Sequence, residues 1–411
     1  MSRVVIVGGG FAGLNAAKVL GGARGVEVLL LDRKNYHLFT PLLYQVAMAG
    51  LSPADIAAPI RSMLSEHDNI RVLLAEVRSV DLARKVVAAD IGDIPFDYLL
   101  LCSGAAQSYF GHDEWKVFAP SLKTLEDATD IRRRVLMAFE EAERNIDGDE
   151  RKRFLTFVIV GGGPTGVELA GAIGEMSRFT LAKDFRSIDA KSARVILVEA
   201  GARILPTFTA EQAARAVRDL ETLGVQVWTS SAVTAVDQDG VRAGKERVRA
   251  GTVVWAAGVR ASALGSETRA EVDAQGRVIV EADLSLKGNP NVFVAGDLAR
   301  FTHQTGAPLP GTAPVAMQQG RHVAHAILGD LQGRPRKPFR YADKGQLATI
   351  GRSRAVAQIG SLKLTGFPAW VMWLAVHIYY LTGFRNRLLV VLQWAWSYLT
   401  FGRGARLITG K

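Results

Sequence analysis

Cysteine is almost absent from this sequence. The single one, Cys102, lies in the apolar run Tyr98–Gly104, which is typical of a buried strand. With one cysteine, a chain cannot form an internal disulfide, a cysteine-ligated iron–sulfur cluster or a redox-active dithiol. Functions that depend on those groups within one chain are therefore excluded, and we expect Cys102 to have a packing role.

Acidic residues are missing from the end of the chain. Asp343 is the last of them, whereas nine Lys or Arg occur between Lys344 and Lys411, in a chain of net charge +10. The same segment holds four of the seven tryptophans. Positive charge interleaved with Trp and Leu favours an anionic membrane surface as a partner. It argues against nucleic acid, which usually requires a solvated basic stripe.

Apolar runs long enough to cross a bilayer are also lacking. Pro368–Leu381 and Leu388–Phe401 are each about fourteen residues long, and a spanning helix needs roughly twenty. The stretch Gly383–Arg387 separates them. We expect two amphipathic helices lying in one leaflet, although a buried helical hairpin in a soluble dimer is the alternative. The apolar stretch Val4–Val7 is too short for a signal peptide, so a cytoplasmic location is expected.

A complete dinucleotide-binding fingerprint stands at the N-terminus. A β-branched run is followed by Gly8-Gly-Gly-Phe-Ala-Gly13 and a helical segment, and a second apolar run ends on Asp32, nineteen residues after Gly13. Gly8 permits a tight turn, Gly10 lets the backbone approach a pyrophosphate, and Gly13 lets the helix pack on the strand. Asp32 would accept hydrogen bonds from a ribose. A dinucleotide site is predicted at this turn.

The same pattern recurs about 150 residues later. The turn is Gly161-Gly-Gly-Pro-Thr-Gly166, with Pro164 in the first helical turn, and the next strand ends on Glu199. The interval of thirty-three residues from Gly166 to Glu199 is longer than usual because a polar segment intervenes. An acid at this strand end favours NADH over NADPH, because a 2′-phosphate would meet a carboxylate. Arg203 lies nearby, so NADPH is disfavoured without being excluded.

A third feature assigns the two nucleotides. The run Asn291-Val-Phe-Val-Ala-Gly-Asp297 resembles the closing motif of flavoproteins with two dinucleotide-binding domains, in which the Asp binds the ribityl chain of FAD. The runs Leu99–Gly104 and Val253–Gly258 resemble the exits from the two Rossmann domains. The expected fold is α/β, with an NADH-binding Rossmann domain inserted in an FAD-binding one and a C-terminal amphipathic helical membrane anchor. Apolar and polar residues alternate in two segments, Ile70–Asp90 and Val225–Val248, and this alternation predicts small β-meanders.

Expected domain boundaries follow from these motifs. The FAD-binding domain is expected to consist of residues 1–118 and 259–345, and the NADH-binding domain of residues 119–258. Residues 346–411 are expected to form the C-terminal membrane-associating region.

Several segments resemble one family, the type II NADH:quinone oxidoreductases, which are single-chain and pump no protons. The segment Asp32–Ala47, the second fingerprint with Val167–Ala170, Pro310–Gly320 and Tyr341–Gly351 carry the resemblance, which extends along essentially the whole chain. Thiol reductases and sulfide:quinone oxidoreductases of similar fold need cysteines that this chain lacks. One departure is Ala313-Pro314, where many members have Ala-Gln, and the proline removes an amide side chain and a backbone donor.

The resemblance implies an activity and a set of site residues. NADH would pass a hydride to FAD, and two electrons would go to a membrane quinone. Glu168 and Gln318 are the candidate catalytic residues, although Glu168 also suits a helix N-terminus on dipole grounds alone. The candidate cofactor-binding residues are Gly8, Gly10, Phe11, Ala12, Gly13, Asp32, Arg33, Val77, Ser103, Gly104, Gly161, Gly163, Pro164, Thr165, Gly166, Glu199, Gly258, Gly296, Asp297 and Met317.

The protein is expected to be a peripheral membrane protein. The enzyme is predicted to be a homodimer lying on the cytoplasmic face of the cell membrane, without a bound metal, since His322 and His325 have no further ligands at useful spacing. His37 is expected to be structural or near the flavin. Two alternatives remain open. One is a soluble NAD(P)H reductase with a non-quinone acceptor, and the other is a redox-sensing or nucleic-acid-binding flavoprotein.

Overall fold

The computed structural model describes residues 1–381, 384–400 and 405–408. It forms two compact units. The first consists of Met1–Leu38, Ala57–Ala106 and Val259–Asp343, and the second of Phe39–Ile56, Gln107–Gly258 and Lys344–Lys411. Compactness does not say which nucleotide a part of the chain binds, so the functional domain boundaries expected from the sequence stay predictions.

In chain order, the helices of the described residues are α1 (Phe11–Leu20), α2 (Leu43–Ala47), α3 (Pro53–Ile56), α4 (Ile60–Met63), α5 (Leu125–Arg144), α6 (Gly148–Phe154), α7 (Pro164–Glu175), α8 (Ala210–Thr222), α9 (Leu264–Glu267), α10 (Ala313–Leu331), α11 (Gly366–Tyr380) and α12 (Phe384–Thr400). The strands are β1 (Ser2–Val7), β2 (Val26–Asp32), β3 (Tyr36–Leu38), β4 (Ala57–Pro59), β5 (Ile70–Leu74), β6 (Val77–Asp81), β7 (Val86–Ala89), β8 (Gly92–Pro95), β9 (Tyr98–Leu101), β10 (Ala105–Gln107), β11 (Thr156–Val160), β12 (Arg194–Val198), β13 (Val225–Trp228), β14 (Val233–Asp237), β15 (Gly240–Ala243), β16 (Glu246–Arg249), β17 (Thr252–Trp255), β18 (Val259–Ala261), β19 (Val278–Ile279), β20 (Ser285–Leu286), β21 (Asn289–Val294), β22 (Ala299–Arg300), β23 (Gln346–Thr349), β24 (Ala355–Ile359) and β25 (Leu362–Thr365).

The first unit is built on a six-stranded sheet. Its strand order is β20, β21, β9, β1, β2, β5, and all neighbours are parallel except β20 and β21. Residues Val4–Val7 of β1 are buried, as the β-branched run predicts for a central parallel strand covered on both faces. The predicted β1–α1–β2 unit is present, and its turn lies at the carboxyl end of β1. This edge of a parallel sheet is where nucleotides bind in such folds.

The second unit repeats this arrangement on a smaller scale. Its parallel sheet has the order β13, β12, β11, β17, and β11, α7 and β12 form its strand–helix–strand unit. Phe157 and Val158 of β11 are fully buried. The chain therefore has the two Rossmann-type units expected from its two fingerprints.

The two predicted β-meanders begin later than expected. The three-stranded meanders are β6–β8 and β14–β16, whereas β5 and β13 join the parallel sheets. Both β5 and β13 are edge strands, so one face of each is partly exposed and its sequence alternates like that of a meander strand. The alternation of apolar and polar residues therefore does not distinguish an edge strand of a parallel sheet from a meander strand.

The C-terminal part of the second unit contains β23–β25 followed by α11 and α12. These helices agree with the two predicted from the apolar runs, while Gly383 of the predicted break and Phe401 at the predicted end lie outside the described residues. Ala369 and Trp373 of α11 are buried. Among the described helices, none combines the length and the apolar character that crossing a bilayer requires.

Candidate functional site

The first fingerprint turn has the geometry that pyrophosphate binding requires. Gly8 has φ +110°, and a Cβ there would lie 2.4 Å from the carbonyl oxygen of Cys102. A Cβ at Gly13 would lie 1.8 Å from the carbonyl oxygen of Gly8, so neither position accepts a side chain. Gly10 differs, because a Cβ there would meet no atom within 4 Å. The space above Gly10 is therefore a cradle that a side chain would fill.

Asp32 is tied to this turn through its carboxylate. Oδ2 accepts the N–H of Gly9 at 2.6 Å and Oδ1 accepts the N–H of Lys34 at 2.7 Å. The buried ring of His37 contacts the same turn, with Nδ1 lying 3.0 Å from the carbonyl oxygen of Gly9. Burial lowers the pKa of His37, so the neutral ring donates from Nδ1. His37 thus supports the turn, in line with the structural role expected for it.

The strand exit at Cys102–Gly104 offers a buried polar atom. Ser103 Oγ is buried and has no hydrogen-bond partner among the described residues. Such an atom normally has a partner, and a polar ligand can supply one. The thiol of Cys102 instead donates to the carbonyl oxygens of Val7 and Gly8 at 3.2 and 3.3 Å, and burial raises its pKa. Cys102 is therefore an inert packing residue.

The closing motif lies in the same unit. Gly296 has φ +73°, and its N–H donates to Oε1 of Gln319 at 2.7 Å. Gln319 is 1% exposed, and the sequence reasoning missed it although it follows Gln318. The helix that carries it packs closely on α1, because a Cβ at Gly320 would lie 2.1 Å from the carbonyl oxygen of Ala12. The sequence signal that could have identified Gln319 is its position directly before Gly320.

The second fingerprint turn repeats the first almost atom for atom. Gly161 has φ +114°, and a Cβ at Gly166 would lie 1.8 Å from the carbonyl oxygen of Gly161. Glu199 takes the place of Asp32, with Oε2 accepting the N–H of Gly162 and Oε1 that of Gly201, both at 2.6 Å. Gly163 has open space where a Cβ would be, like Gly10. Two turns of one design are present, one in each unit.

Glu168 lies on α7, little more than one turn after the cradle residue Gly163, and is buried. The residue is 8% exposed and lines a cavity that is partly open to solvent. Its hydrogen bond within the protein is long, from the N–H of Thr349 to Oε1 at 3.5 Å. Burial raises the pKa of Glu168 to about 8. The carboxyl is therefore mostly protonated at neutral pH and can donate a hydrogen bond or a proton.

The other walls of this cavity come from distant parts of the second unit. Gln45 lies on α2, Glu175 on α7, Trp373 on α11 and Trp394 on α12. Trp394 Nε1 donates to Gln45 Oε1 at 2.8 Å. Glu175 Oε2 accepts the N–H of Arg352 at 3.0 Å. The sequence reasoning missed these residues, because nothing local links positions so far apart.

Gln318, the second candidate catalytic residue, has both ends of its amide engaged. Its Nε2 donates to the carbonyl oxygen of Ala342 and its Oε1 accepts the N–H of Ala342, both at 3.0 Å. This pairing fixes the start of α10 against the following loop. Pro314 lies in the first turn of α10, where the missing N–H removes a donor that would lack an intrahelical partner in any case.

The remaining candidates are distributed between the two units. Arg33 and Thr165 are exposed, whereas Phe11, Val77, Met317 and Asp297 are partly buried. The first unit contains Gly8–Gly13, Asp32, Arg33, Val77, Ser103, Gly104, Gly296, Asp297, Met317 and Gln318, and the second contains Gly161–Gly166, Glu168, Glu199 and Gly258. In the described part of the chain, no group of three or more His, Cys, Asp or Glu is arranged to hold a metal ion.

Comparison with known proteins identifies the family of this chain. Residues 2–320 match the pyridine nucleotide-disulphide oxidoreductase family, and residues 344–404 match the NDH2 C-terminal domain. The type II NADH:quinone oxidoreductase NdhA of Mycobacterium tuberculosis is 45% identical, over 100% of this chain and 90% of that protein. The type II NADH:quinone oxidoreductase of Staphylococcus haemolyticus is 30% identical, over 90% and 92%.

Solved structures show the same fold. NDH2 from Plasmodium falciparum in complex with NADH superposes with a TM-score of 0.90 over 100% of both chains, at 20% identity. The sulfide:quinone oxidoreductase of Aquifex aeolicus reaches 0.74 over 94% of this chain and 92% of that one, at 19% identity. From the family matches and the curated relatives together, this chain belongs to the type II NADH:quinone oxidoreductases.

Proposed function

We propose that this chain oxidises NADH through bound FAD and reduces a membrane quinone without pumping protons. The observation that carries the proposal is the pair of matching dinucleotide turns, accompanied by a cavity that contains the buried, protonated Glu168. When bound, FAD accepts a hydride and passes on two electrons one or two at a time. The protein supplies binding, orientation and protons.

The first unit fits FAD. The open cradle at Gly10 and the N-terminus of α1 suit a pyrophosphate, and the carboxylate of Asp32 retains lone pairs for ribose hydroxyls. The unpartnered Oγ of Ser103 and the side chain of Asp297 would serve the rest of the cofactor. The other first-unit candidates, Phe11, Ala12, Arg33, Val77, Gly104 and Met317, are proposed as its surrounding contacts.

The second unit fits NADH. Gly163 supplies the cradle, Pro164 and Thr165 open the helix that faces the pyrophosphate, and Glu199 would accept the hydroxyls of a ribose. Because Glu199 already holds two backbone N–H groups at 2.6 Å, its position is fixed. A 2′-phosphate would meet this fixed carboxylate, so NADH is preferred over NADPH.

Glu168 is proposed to hold a proton for quinone reduction. Reducing a quinone to a quinol consumes two protons, and a buried carboxyl with a pKa of about 8 keeps one at neutral pH. The backbone N–H of Thr349 contacts Oε1 and orients the carboxyl. Gln318, bonded to Ala342 through both amide atoms, is proposed to position the loop beside α10.

The C-terminal helices are proposed to lie on the cytoplasmic face of the cell membrane. On α12 the residues at 388, 391, 392, 395 and 396 are exposed, and all five are apolar. Their spacing of three and four residues places them on one helical face. An apolar stripe facing solvent is typical of a helix that lies in the membrane surface. The expected homodimer stays a prediction.

Rapid mixing with the purified, FAD-loaded protein tests the function. We expect anaerobic NADH to bleach the flavin absorbance, and menadione to restore it within milliseconds to seconds. Recovery that only ferricyanide or oxygen can bring about would overturn quinone reduction and favour the soluble reductase. NADPH should bleach the flavin much more slowly than NADH, and equal rates would contradict the role of Glu199.

A further inference from the structure

One residue that lines the cavity beside Glu168 carries a buried hydrogen-bond donor with no acceptor among the described residues. Trp373 is 2% exposed, lines this cavity, and has no partner for Nε1 among the described residues. Buried indole N–H groups normally find a partner, because leaving one unpaired costs free energy. The unsatisfied donor therefore indicates a ligand that brings an acceptor.

The neighbouring tryptophan shows that this is specific to Trp373. Trp394 lines the same cavity, and its Nε1 donates to Gln45 Oε1 at 2.8 Å. Gln45 in turn donates to the hydroxyl of Tyr44 at 2.9 Å. Of the three tryptophans that line the cavity, only Trp373 has a buried Nε1 without a partner among the described residues.

Two rings hold the indole of Trp373 in place. Its centroid lies 4.3 Å from that of His377, with 30° between the planes, and 5.4 Å from that of Trp394. His377 Nδ1 lies 2.7 Å from the carbonyl oxygen of Trp373 and donates to it. Burial lowers the pKa of His377 to about 4, so this stack is uncharged at neutral pH. A donor fixed in this way loses little freedom when a ligand binds.

We infer that Trp373 Nε1 donates a hydrogen bond to a carbonyl oxygen of the quinone ring bound in this cavity. The inference rests on the proposed function and adds the residue that recognises the acceptor. Indole is a donor only, so it selects a ligand atom with a lone pair. Trp370 and Trp394 also line the cavity, and both are partly exposed, so they add apolar ring surface for a planar ligand. The carboxyl of Glu168 is a second donor, and a para-quinone carries two acceptors.

The test compares two ligands of the same shape on the full-length, FAD-loaded enzyme. Menadione has the two carbonyl oxygens, and 2-methylnaphthalene has the same fused rings without them. We expect Trp373→Phe to raise the KM for menadione about three- to tenfold, the value of one hydrogen bond. The inhibition constant of 2-methylnaphthalene should stay within twofold, and so should the rate of flavin reduction by NADH.

The control variant is Trp115→Phe, which removes another buried indole, 7% exposed and packed against Trp255 outside the cavity. It should leave the KM for menadione unchanged. An equal loss of affinity for both ligands in Trp373→Phe, or no change for menadione, overturns the inference. Absence of menadione reduction in the unsubstituted enzyme would overturn the proposed function instead, so the two failures are distinguishable.

Discussion

Two glutamates of the second unit show how the surroundings decide what one residue type does. Glu199 accepts two backbone N–H groups at 2.6 Å, which fixes its carboxylate in the position proposed for ribose binding. Glu168 accepts one long hydrogen bond, at 3.5 Å, and its side chain is buried in the cavity. Burial is the larger effect there and raises its pKa to about 8. Glu199 is proposed to bind a ribose, and Glu168 can hold a proton.

The raised pKa of Glu168 predicts a dependence of stability on pH. Between its ordinary value of 4.5 and about 8, the folded state binds more protons at this carboxyl than the unfolded state does. The stabilisation is therefore complete below the lower value and is lost as pH rises through the upper one. Relative to the unsubstituted protein, Glu168→Gln should gain up to about 1.4 kcal/mol per pH unit in this window. Denaturant unfolding at pH 5, 6, 7 and 8 measures it, and a constant difference between the two proteins would contradict the raised pKa.

Activity should respond differently to the same substitution. An amide cannot deliver a proton, so Glu168→Gln should slow menadione reduction by about 10²-fold or more. Bleaching of the flavin by NADH should be unchanged, because that half-reaction needs no proton from Glu168. Ferricyanide, which accepts electrons alone, is the matched acceptor and should be reduced at the normal rate. Equal slowing with both acceptors would place the defect in folding or in NADH binding.

Residues whose partners are near in sequence were predictable, and those with distant partners were not. Asp32 and Glu199 follow from a glycine pattern and a strand end, and both accept the N–H of the fingerprint's second glycine. Gln45 and Trp394 are 349 residues apart, and no periodicity relates them. The sequence favours Gln318 although its neighbour Gln319 is the buried one. The sequence pattern does not show which of two adjacent glutamine side chains will be buried.

At the level of elements, each strand–turn–helix unit contains one glycine that the fold requires and another that only the proposed ligand requires. Gly13 and Gly166 each face a carbonyl oxygen 1.8 Å from where a Cβ would be, so they are required for folding. Gly10 and Gly163 face open space, so the protein alone gives no reason for glycine there. The proposed nucleotides supply the reason, since a methyl group would occupy the space of a pyrophosphate.

Alanine substitutions should therefore sort into two classes. Gly10→Ala should leave the fold intact but lower FAD affinity about tenfold or more, and Gly163→Ala should do the same for NADH without reducing FAD content. Gly13→Ala and Gly166→Ala should lower the yield of folded protein whether or not nucleotide is present. Flavin absorbance per protein and the KM for NADH measure the two affinities. A common effect of Gly10→Ala and Gly163→Ala on FAD would contradict the assignment of one nucleotide to each unit.

For the whole molecule, charge and apolar exposure concentrate in the same segment. No acidic residue follows Asp343 in the sequence to balance the nine basic ones, although Arg352, Arg354 and Arg406 pair with acidic residues elsewhere in the second unit. On α12, Leu388 and Leu392 are 50% and 56% exposed. The apolar runs predicted two helices correctly, but which side of each helix packs on the protein depends on tertiary contacts. Burial of Trp373 and Ala369 means that deleting the segment would expose core surface, so point substitutions test the membrane better than truncation does.

Membrane binding should depend on the apolar stripe of α12. Leu388→Glu together with Leu392→Glu should abolish flotation of the protein with anionic vesicles, because burying the exposed half of each leucine in lipid contributes about 1 kcal/mol and a carboxylate there opposes insertion. The matched control is Leu74→Glu with Ile91→Glu, two residues of the first unit that are 58% and 53% exposed. The control pair should float like the unsubstituted protein, and both pairs should reduce ferricyanide normally. Raising salt should weaken flotation of the unsubstituted protein, because the basic residues add an electrostatic attraction that ions screen. If both pairs float equally well, α12 does not face the lipid, and its apolar stripe must be covered by protein instead.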